Sequence, residues 1–153
     1  MRYLPVLAGL FWISILSCNT ATDRDSGAMQ VKVIDNTDRA FSEMSKNKGM
    51  KAAFLHYIDS TGVLLRPGNY PIVGKDARQY LQNSNDSSFT LTWEPSYAEV
   101  SASGDLGFTY GIYTLNIKDT LIKGTYVSIW KKQADGNWKF VLDTGNPGLG
   151  KEK

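Results

Sequence analysis

Two stretches decide the fold: WEPSYAEVSASGDLGFTYGIY (Trp93 to Tyr113) and GTYVSIWKKQADGNWKFVLDTGNP (Gly124 to Pro147). Phe89, Leu91 and Trp93 alternate with Thr90, Thr92 and Glu94, the period-two pattern of a half-buried strand. Pro95 cannot donate to a ladder, so a bulge at Glu94-Pro95, or a sheet edge, is expected there. A one-residue slip at that bulge moves the buried set to Ala98, Val100 and Ala102. Ser103-Gly104-Asp105 reads as a hairpin turn. Leu106 to Ile117 is then a long strand, Lys123 to Gln133 the next, and Trp138 to Asp143 the last. Ala134-Asp135-Gly136 suits a three-residue loop with its glycine in the left-handed region.

These turns set an expected register. Pairing Gln133 with Asn137 puts Trp130 opposite Phe140 and Val127 opposite Asp143. A turn centred on Asp119 puts Ile112 opposite Tyr126 and Phe108 opposite Trp130, and one centred on Gly104 puts Val100 opposite Phe108. Side chains alternate with period two, so the pairs collect onto two faces. Val100, Phe108, Tyr110, Ile112, Tyr126, Trp130, Trp138, Phe140 and Leu142 form an aromatic face to be covered by helices. Gly107, Thr109, Gly111, Tyr113, Thr125, Val127, Ile129, Val141 and Asp143 form a flatter face suited to a partner.

Upstream, Ala28 to about Lys48 is helical. Ile34, Phe41 and Met44, with Thr37 or Asp38 between them, recur at 3.6-residue spacing. Lys46 and Lys48 suit the negative end of the helix dipole and Gly49 the position after it. Met50 to Ile58 fits a second helix, Asp59-Ser60-Thr61-Gly62 a turn, and Val63 to Arg66 a strand. Pro67-Gly68-Asn69 turns the chain into a short extended piece, Tyr70 to Val73. Gly74-Lys75-Asp76 opens a third helix that ends near Asn83 and turns Ala77, Tyr80 and Leu81 inward. The whole is α+β: a curved antiparallel sheet on about three N-terminal helices.

The 153 residues, 42% apolar and 12% aromatic, suffice for one domain with a core. A net charge of +2 makes no electrostatic case for nucleic acid. One Cys and one His exclude a disulfide framework and the usual zinc sites. There is no Walker loop, strand-linked G-x-G-x-x-G, G-x-S-x-G or H-E-x-x-H, and no cofactor or metal is implied.

The N-terminus, MRYLPVLAGLFWISILSC, carries Arg2 and then an uncharged run from Leu4 to Leu16. As a helix that run would reach about 20 Å, short of the ~30 Å hydrocarbon core, so it reads as a signal-peptide core. Cys18 follows Ile15-Leu16-Ser17, an arrangement that resembles the bacterial lipobox. The expected organisation is a signal peptide over 1–17, a lipidated tether over 18–27, a domain over 28–147 and a tail over 148–153. The protein would then sit in the bacterial cell envelope, lipid-anchored to a membrane through Cys18 and facing the periplasm or the exterior. The alternative is an ordinary secreted chain cleaved nearby. The mature chain would be close to neutral, so anchoring would rest on acyl chains and not on a polybasic patch.

The segments Trp93 to Tyr113 and Gly124 to Pro147, together with PGNYPIVGKDARQYLQ (Pro67 to Gln82), resemble the SnoaL-like, ketosteroid-isomerase-like branch of the nuclear transport factor 2-like superfamily. The resemblance spans roughly Met29 to Pro147. Its G-x-Y-x-x-x-W and D-G-x-W elements are packing and turn elements that identify a fold and not a reaction. It implies a cone-shaped sheet with a pocket at its open end, homodimers paired through the outer sheet face and, in catalytic members, a carboxylate base with a hydroxyl or carboxylic acid donor.

Candidate acid/base residues are His56, which Asp59 could orient, Asp59 itself, and Asp143 at the end of the last strand. Each has a plainer role: a helix-end imidazole, a turn cap and a strand-end carboxylate. Arg66, Trp93, Tyr110, Tyr126 and Trp130 are candidate pocket residues, Arg66 for an anionic group and the tyrosines as donors. Glu94 is a weaker case. The first functional expectation is a membrane-tethered domain binding a small, largely apolar molecule. Alternatives are a cofactor-independent isomerase, cyclase or dehydratase, and a dimerising interaction module.

Overall fold

The computed structural model describes residues 20–150, with side chains from Gly27 onward; the signal segment and Cys18 lie outside the described residues. Three helices, α1 (Thr20–Lys48), α2 (Met50–Tyr57) and α3 (Lys75–Asn83), combine with six strands. These are β1 (Ile58–Leu65), β2 (Ile72–Val73), β3 (Phe89–Val100), β4 (Leu106–Ile117), β5 (Thr120–Lys132) and β6 (Trp138–Pro147). They form one curved sheet in the order β2-β1-β6-β5-β4-β3. The fold is α+β as expected, with one amendment: β1 runs parallel to β6, so the sheet is mixed. Helix α1 starts at Thr20, inside the stretch expected as tether. β1 takes in the Asp59-Ser60-Thr61-Gly62 segment expected as a turn.

Gly49 follows α1 at the expected stop position with φ 88° and ψ 153°, an extended positive-φ conformation open to glycine. The following helix has no cap of its own; Asp86, 35 residues away, accepts the Lys51 N–H at 2.8 Å and satisfies one of its orphan donors. The aromatic core centres on Phe41 of α1. Its ring lies 4.5 Å from Trp93 and 4.7 Å from Phe54, both edge to face, 4.8 Å from Tyr57, tilted, and 5.6 Å from Phe140, stacked. β3 is a sheet edge, and α1 covers it. The Ser42 hydroxyl accepts the Trp93 N–H at 2.8 Å, and the Ser45 hydroxyl donates to the Leu91 carbonyl at 2.7 Å. Two backbone groups that would otherwise invite another strand are thereby paired.

The sheet register departs from expectation by one residue in two places. The β4–β5 connection is a two-residue turn at Lys118-Asp119, with Lys118 at φ 53°, and not a turn centred on Asp119. Tyr126 therefore faces Gly111 and Trp130 faces Gly107. At the other end of β4, Val100 faces Gly107 and not Phe108. Period-two alternation turns this single step into a reversal of the whole strand. Phe108, Tyr110 and Ile112 point outward, and Gly107, Thr109, Gly111 and Tyr113 point inward.

The second place is β6. Trp130 pairs with Phe140 as expected, but a bulge follows, and Asp143 then faces Ser128 in place of Val127. Asp143 thus turns inward and Leu142 outward. The β3 bulge lies between Pro95 and Tyr97, just beyond the expected Glu94-Pro95; it turns Ala98 inward and Val100 partly so, while Ala102, expected in the same buried set, is exposed beyond the strand end.

Gly111 sits against the β3 bulge: a Cβ there would lie 2.0 Å from the Glu94 carbonyl oxygen. Backbone cannot yield as a side-chain tip can, so Gly111→Ala should destabilise the domain by at least ~2 kcal/mol. Urea denaturation of the two proteins checks this.

Candidate functional site

The concave side of the sheet encloses one cavity with a largely apolar wall, about 310 Å³. Met50 and Phe54 of α2, Phe89, Leu91 and Trp93 of β3, Tyr113 and Leu115 of β4, and Tyr126 of β5 supply that wall. The Tyr113 ring packs over Gly124 and Gly145, where a Cβ at Gly124 would come within 2.5 Å of it. The missing side chain at Gly124 is what leaves room for the ring, whereas a Cβ at Gly145 would only touch it at an ordinary 3.4 Å.

One charged pair interrupts the apolar wall. The bulge in β6 aims Asp143 inward, and Arg66, just after β1, meets it: Nη2 donates to Oδ1 at 2.6 Å and Nη1 to the Asp143 carbonyl at 3.0 Å. The Ser128 hydroxyl donates to Oδ2 at 2.8 Å. The pair is mostly shielded from solvent, and the guanidinium also stands 5.6 Å from the Phe54 ring centroid. Both carboxylate oxygens are engaged, yet each retains acceptor capacity for a ligand proton.

Behind this wall lies a second carboxylate, Asp38, which is 0% exposed. It sits on the inward stripe of α1, between Ile34 and Phe41. Oδ1 accepts the Trp93 indole N–H at 2.7 Å and Oδ2 the Tyr126 hydroxyl at 2.6 Å. Burial raises its pKa from 3.8 to about 6. The Tyr126, Trp93 and Thr109 donors pull in the opposite direction, and nearby Asp143 adds a small further push upward.

The same proximity acts on Tyr126. Burial first, and then the Asp38 charge and hydrogen bond, hold its hydroxyl far above the ordinary tyrosine range. With Asp38 ionised, the Tyr126 proton is committed to Asp38. Tyr126 therefore contributes to the cavity wall without an acidic proton to give.

The remaining sequence candidates lie elsewhere. His56 is exposed at the end of α2, outside the cavity lining. Its pKa is lowered by partial desolvation and then by Lys139 and Lys48. Asp59 does not orient it. Asp59 accepts the Thr61 N–H at 2.8 Å and the Thr61 hydroxyl at 2.7 Å. Its burial would raise the pKa, but these bonds outweigh it and the net shift is downward. Tyr110, 47% exposed, is on the outer face, stacked with Tyr97 and Phe108, and the reversal of β4 put it there.

Trp130, 0% exposed, is core and not cavity wall; its indole N–H donates to Thr109 at 2.8 Å. Glu94 pairs on the surface with Arg39. Among the named candidates, Arg66, Trp93, Tyr126 and Asp143 come together at the cavity. Asp38 joins them as a residue that the sequence marks only as a position on the α1 stripe, although a carboxylate within an apolar helical stripe is itself a signal: ionised groups are almost never fully buried unless paired.

Asp38 should leave a signature in stability. A carboxyl whose folded pKa exceeds its unfolded one binds more protons when folded, so it stabilises below the unfolded value and loses that contribution as pH rises. From about pH 4 to about pH 6 wild type should lose up to ~3 kcal/mol relative to Asp38→Asn. Parallel denaturation curves across that range measure the difference. Tyr126→Phe removes a donor from the buried carboxylate and should cost about 1–3 kcal/mol at pH 7.

No family model matches the chain, and no curated protein matches it. Solved structures do. A ketosteroid isomerase-like protein from Erwinia carotovora atroseptica is 20% identical over 75% of this chain and 94% of that one, with a TM-score of 0.60. An NTF2-like protein with a cystatin-like fold from Novosphingobium aromaticivorans is 10% identical over 85% and 90%, with a TM-score of 0.63. An LEH-like epoxide hydrolase from M. tuberculosis is 12% identical over 78% of each chain, with a TM-score of 0.53. At these identities the likeness is one of backbone: the chain has the nuclear transport factor 2-like, cystatin-like α+β fold.

Proposed function

We propose that this protein is a membrane-tethered lipoprotein, anchored through Cys18 in the bacterial cell envelope, whose domain binds a small, largely apolar molecule in the concave cavity. One observation carries the binding reading. A cavity of about 310 Å³ is walled by aromatic and aliphatic side chains and contains a single, mutually neutralising charged pair, Arg66–Asp143. That volume is in the range of small-molecule sites, and a few polar groups in an apolar wall orient a ligand there. The ion pair favours a neutral ligand, since a charged one would bury an uncompensated charge.

The binding reading is preferred over catalysis because the protons are already committed. Tyr126 donates to Asp38, and Asp143 is held by Ser128 and Arg66. Native mass spectrometry of gently purified protein should reveal a co-purifying apolar molecule. Leu91→Trp, which fills the cavity, should abolish its retention while leaving a folded domain. Retention undiminished in Leu91→Trp would place the ligand elsewhere.

A specific observation supports a catalytic alternative. Asp143 is presented to an apolar cavity beside a guanidinium, as a general base in an isomerase-, cyclase- or dehydratase-type reaction would be. Neighbours that bear the names of a ketosteroid isomerase-like protein and an epoxide hydrolase are consistent with it. On that reading Asp143→Asn abolishes turnover of an apolar substrate but leaves its binding within a few fold.

Homodimerisation is proposed through the outer sheet face, where the exposed Tyr97 and Tyr110 and the half-buried Phe108 pack ring on ring, Tyr110 stacked on both of the others. Sedimentation of the protein with Tyr110→Lys should show the dimer lost.

A further inference from the structure

On the reading of the concave cavity as a small-molecule site, its size, its wall and its one charged pair together narrow the ligand to a chemical class. Size comes first. An apolar cavity of ~150 Å³ holds one benzene ring. At about 310 Å³ this one takes roughly two fused rings, and a four-ring skeleton would need about twice the room.

The wall sets the shape. Phe54, Phe89, Trp93, Tyr113 and Tyr126 all border the cavity. Phe54 meets Trp93 edge to face at 5.9 Å, and Trp93 meets Tyr126 in the same manner at 6.1 Å. Rings set at such angles offer both edges and faces, which suits a flat aromatic ligand. Trp93 and Tyr126 are already held by Asp38, so this part of the wall needs no ordering when a ligand arrives.

The polar groups set the chemistry. Of the five N–H groups of Arg66, three are used, on the Leu65 carbonyl, the Asp143 carbonyl and Asp143 Oδ1. The Nε–H has no partner among the described residues, and it is not sealed: their single buried, unpaired side-chain polar atom is the Trp138 indole nitrogen. The guanidinium stands beside Phe54, itself part of the wall. Asp143 accepts one side-chain hydrogen bond at each oxygen, from Arg66 and Ser128, which leaves lone pairs on both.

The pair thus carries spare donors next to spare acceptors, on separate atoms. An amide answers both at once, because its N–H and C=O lie side by side with N and O about 2.2 Å apart. It is also neutral, as an already compensated ion pair requires. A ring nitrogen answers only the donor, and a hydroxyl must serve both partners from one point. We propose that the cavity binds a neutral two-ring aromatic lactam, with its N–H given to Asp143, its carbonyl accepting from Arg66 and its rings against the aromatic wall.

The test compares two-ring probes of similar size. Quinolin-2-one carries the adjacent N–H and C=O, quinoline an acceptor alone, 2-naphthol a hydroxyl and naphthalene no polar group. Binding is followed by NMR through the Trp93 indole and Tyr113 ring resonances of the labelled full-length chain. Quinolin-2-one should bind about tenfold tighter than each of the other three. The three-ring lactam phenanthridin-6-one should bind more weakly than quinolin-2-one.

The double variant Arg66→Met, Asp143→Leu exchanges the pair for apolar groups and should leave a folded domain, checked by an unmoved Trp130 indole signal. Quinolin-2-one should then bind no tighter than naphthalene. Leu91→Trp should remove binding of every probe. If naphthalene or 2-naphthol matches quinolin-2-one in the wild type, the cavity stands as an apolar site and the lactam assignment falls. The assignment also falls if quinolin-2-one keeps its advantage in the double variant, and if no probe binds, the small-molecule reading falls with it.

Discussion

The Asp38 carboxylate is the constraint on which the rest of this molecule turns. Among the described residues it is the one carboxylate driven fully into the interface between the long helix and the sheet, and it is tolerated there because two donors from different strands reach it. The Trp93 indole and the Tyr126 hydroxyl each give up a proton direction to it. A carboxylate so placed acts as a pin. It fixes the azimuth of α1, and it locks the rotamers of two aromatic residues whose other faces form the cavity wall. Burying an ionised group weakens the fold near neutral pH, and the return is a preorganised wall. A site held to shape in this way spends less of its binding free energy on ordering side chains.

The same interaction decides what the cavity can do. A tyrosine beside an apolar space is readily assumed to be a proton donor, yet hydrogen-bond direction depends on which partner needs the proton. Here the buried anion takes it, so the Tyr126 hydroxyl has no proton left to donate elsewhere. The Arg66–Asp143 pair, in the neighbouring part of the same wall, follows a similar logic. Each partner satisfies the other, Ser128 completes the carboxylate, and the wall stays close to neutral. An apolar container with its polar groups already spoken for favours holding a molecule over transforming it.

Much of the architecture could be read along the chain because it depends on local chemistry. The stripe at Ile34, Phe41 and Met44, the helix stop at Gly49, the bulge after Pro95 and the Gly136 loop all follow from single-residue preferences or short periods. The Trp130–Phe140 pairing was legible for the same reason, since the loop between its strands is short. The inward side of β4 was not. Whether Lys118-Asp119 closes as a two- or three-residue turn changes the local energy little, but a slip of one residue exchanges the two faces of a strand. Tyr110 and Asp143 changed sides by that arithmetic, one through a turn and the other through a bulge.

The sequence by itself determined the class of fold, the order of its elements, the presence of an aromatic interior and the lack of any familiar catalytic motif. These are properties of composition and short-range pattern. Only the tertiary structure decided which polar groups meet. Asp38, Trp93 and Tyr126 are separated by up to 88 positions, and Arg66 and Asp143 by 77. Nothing local encodes such encounters: they arise when a curved sheet closes over a helix and the interior requires that every buried charge find a partner.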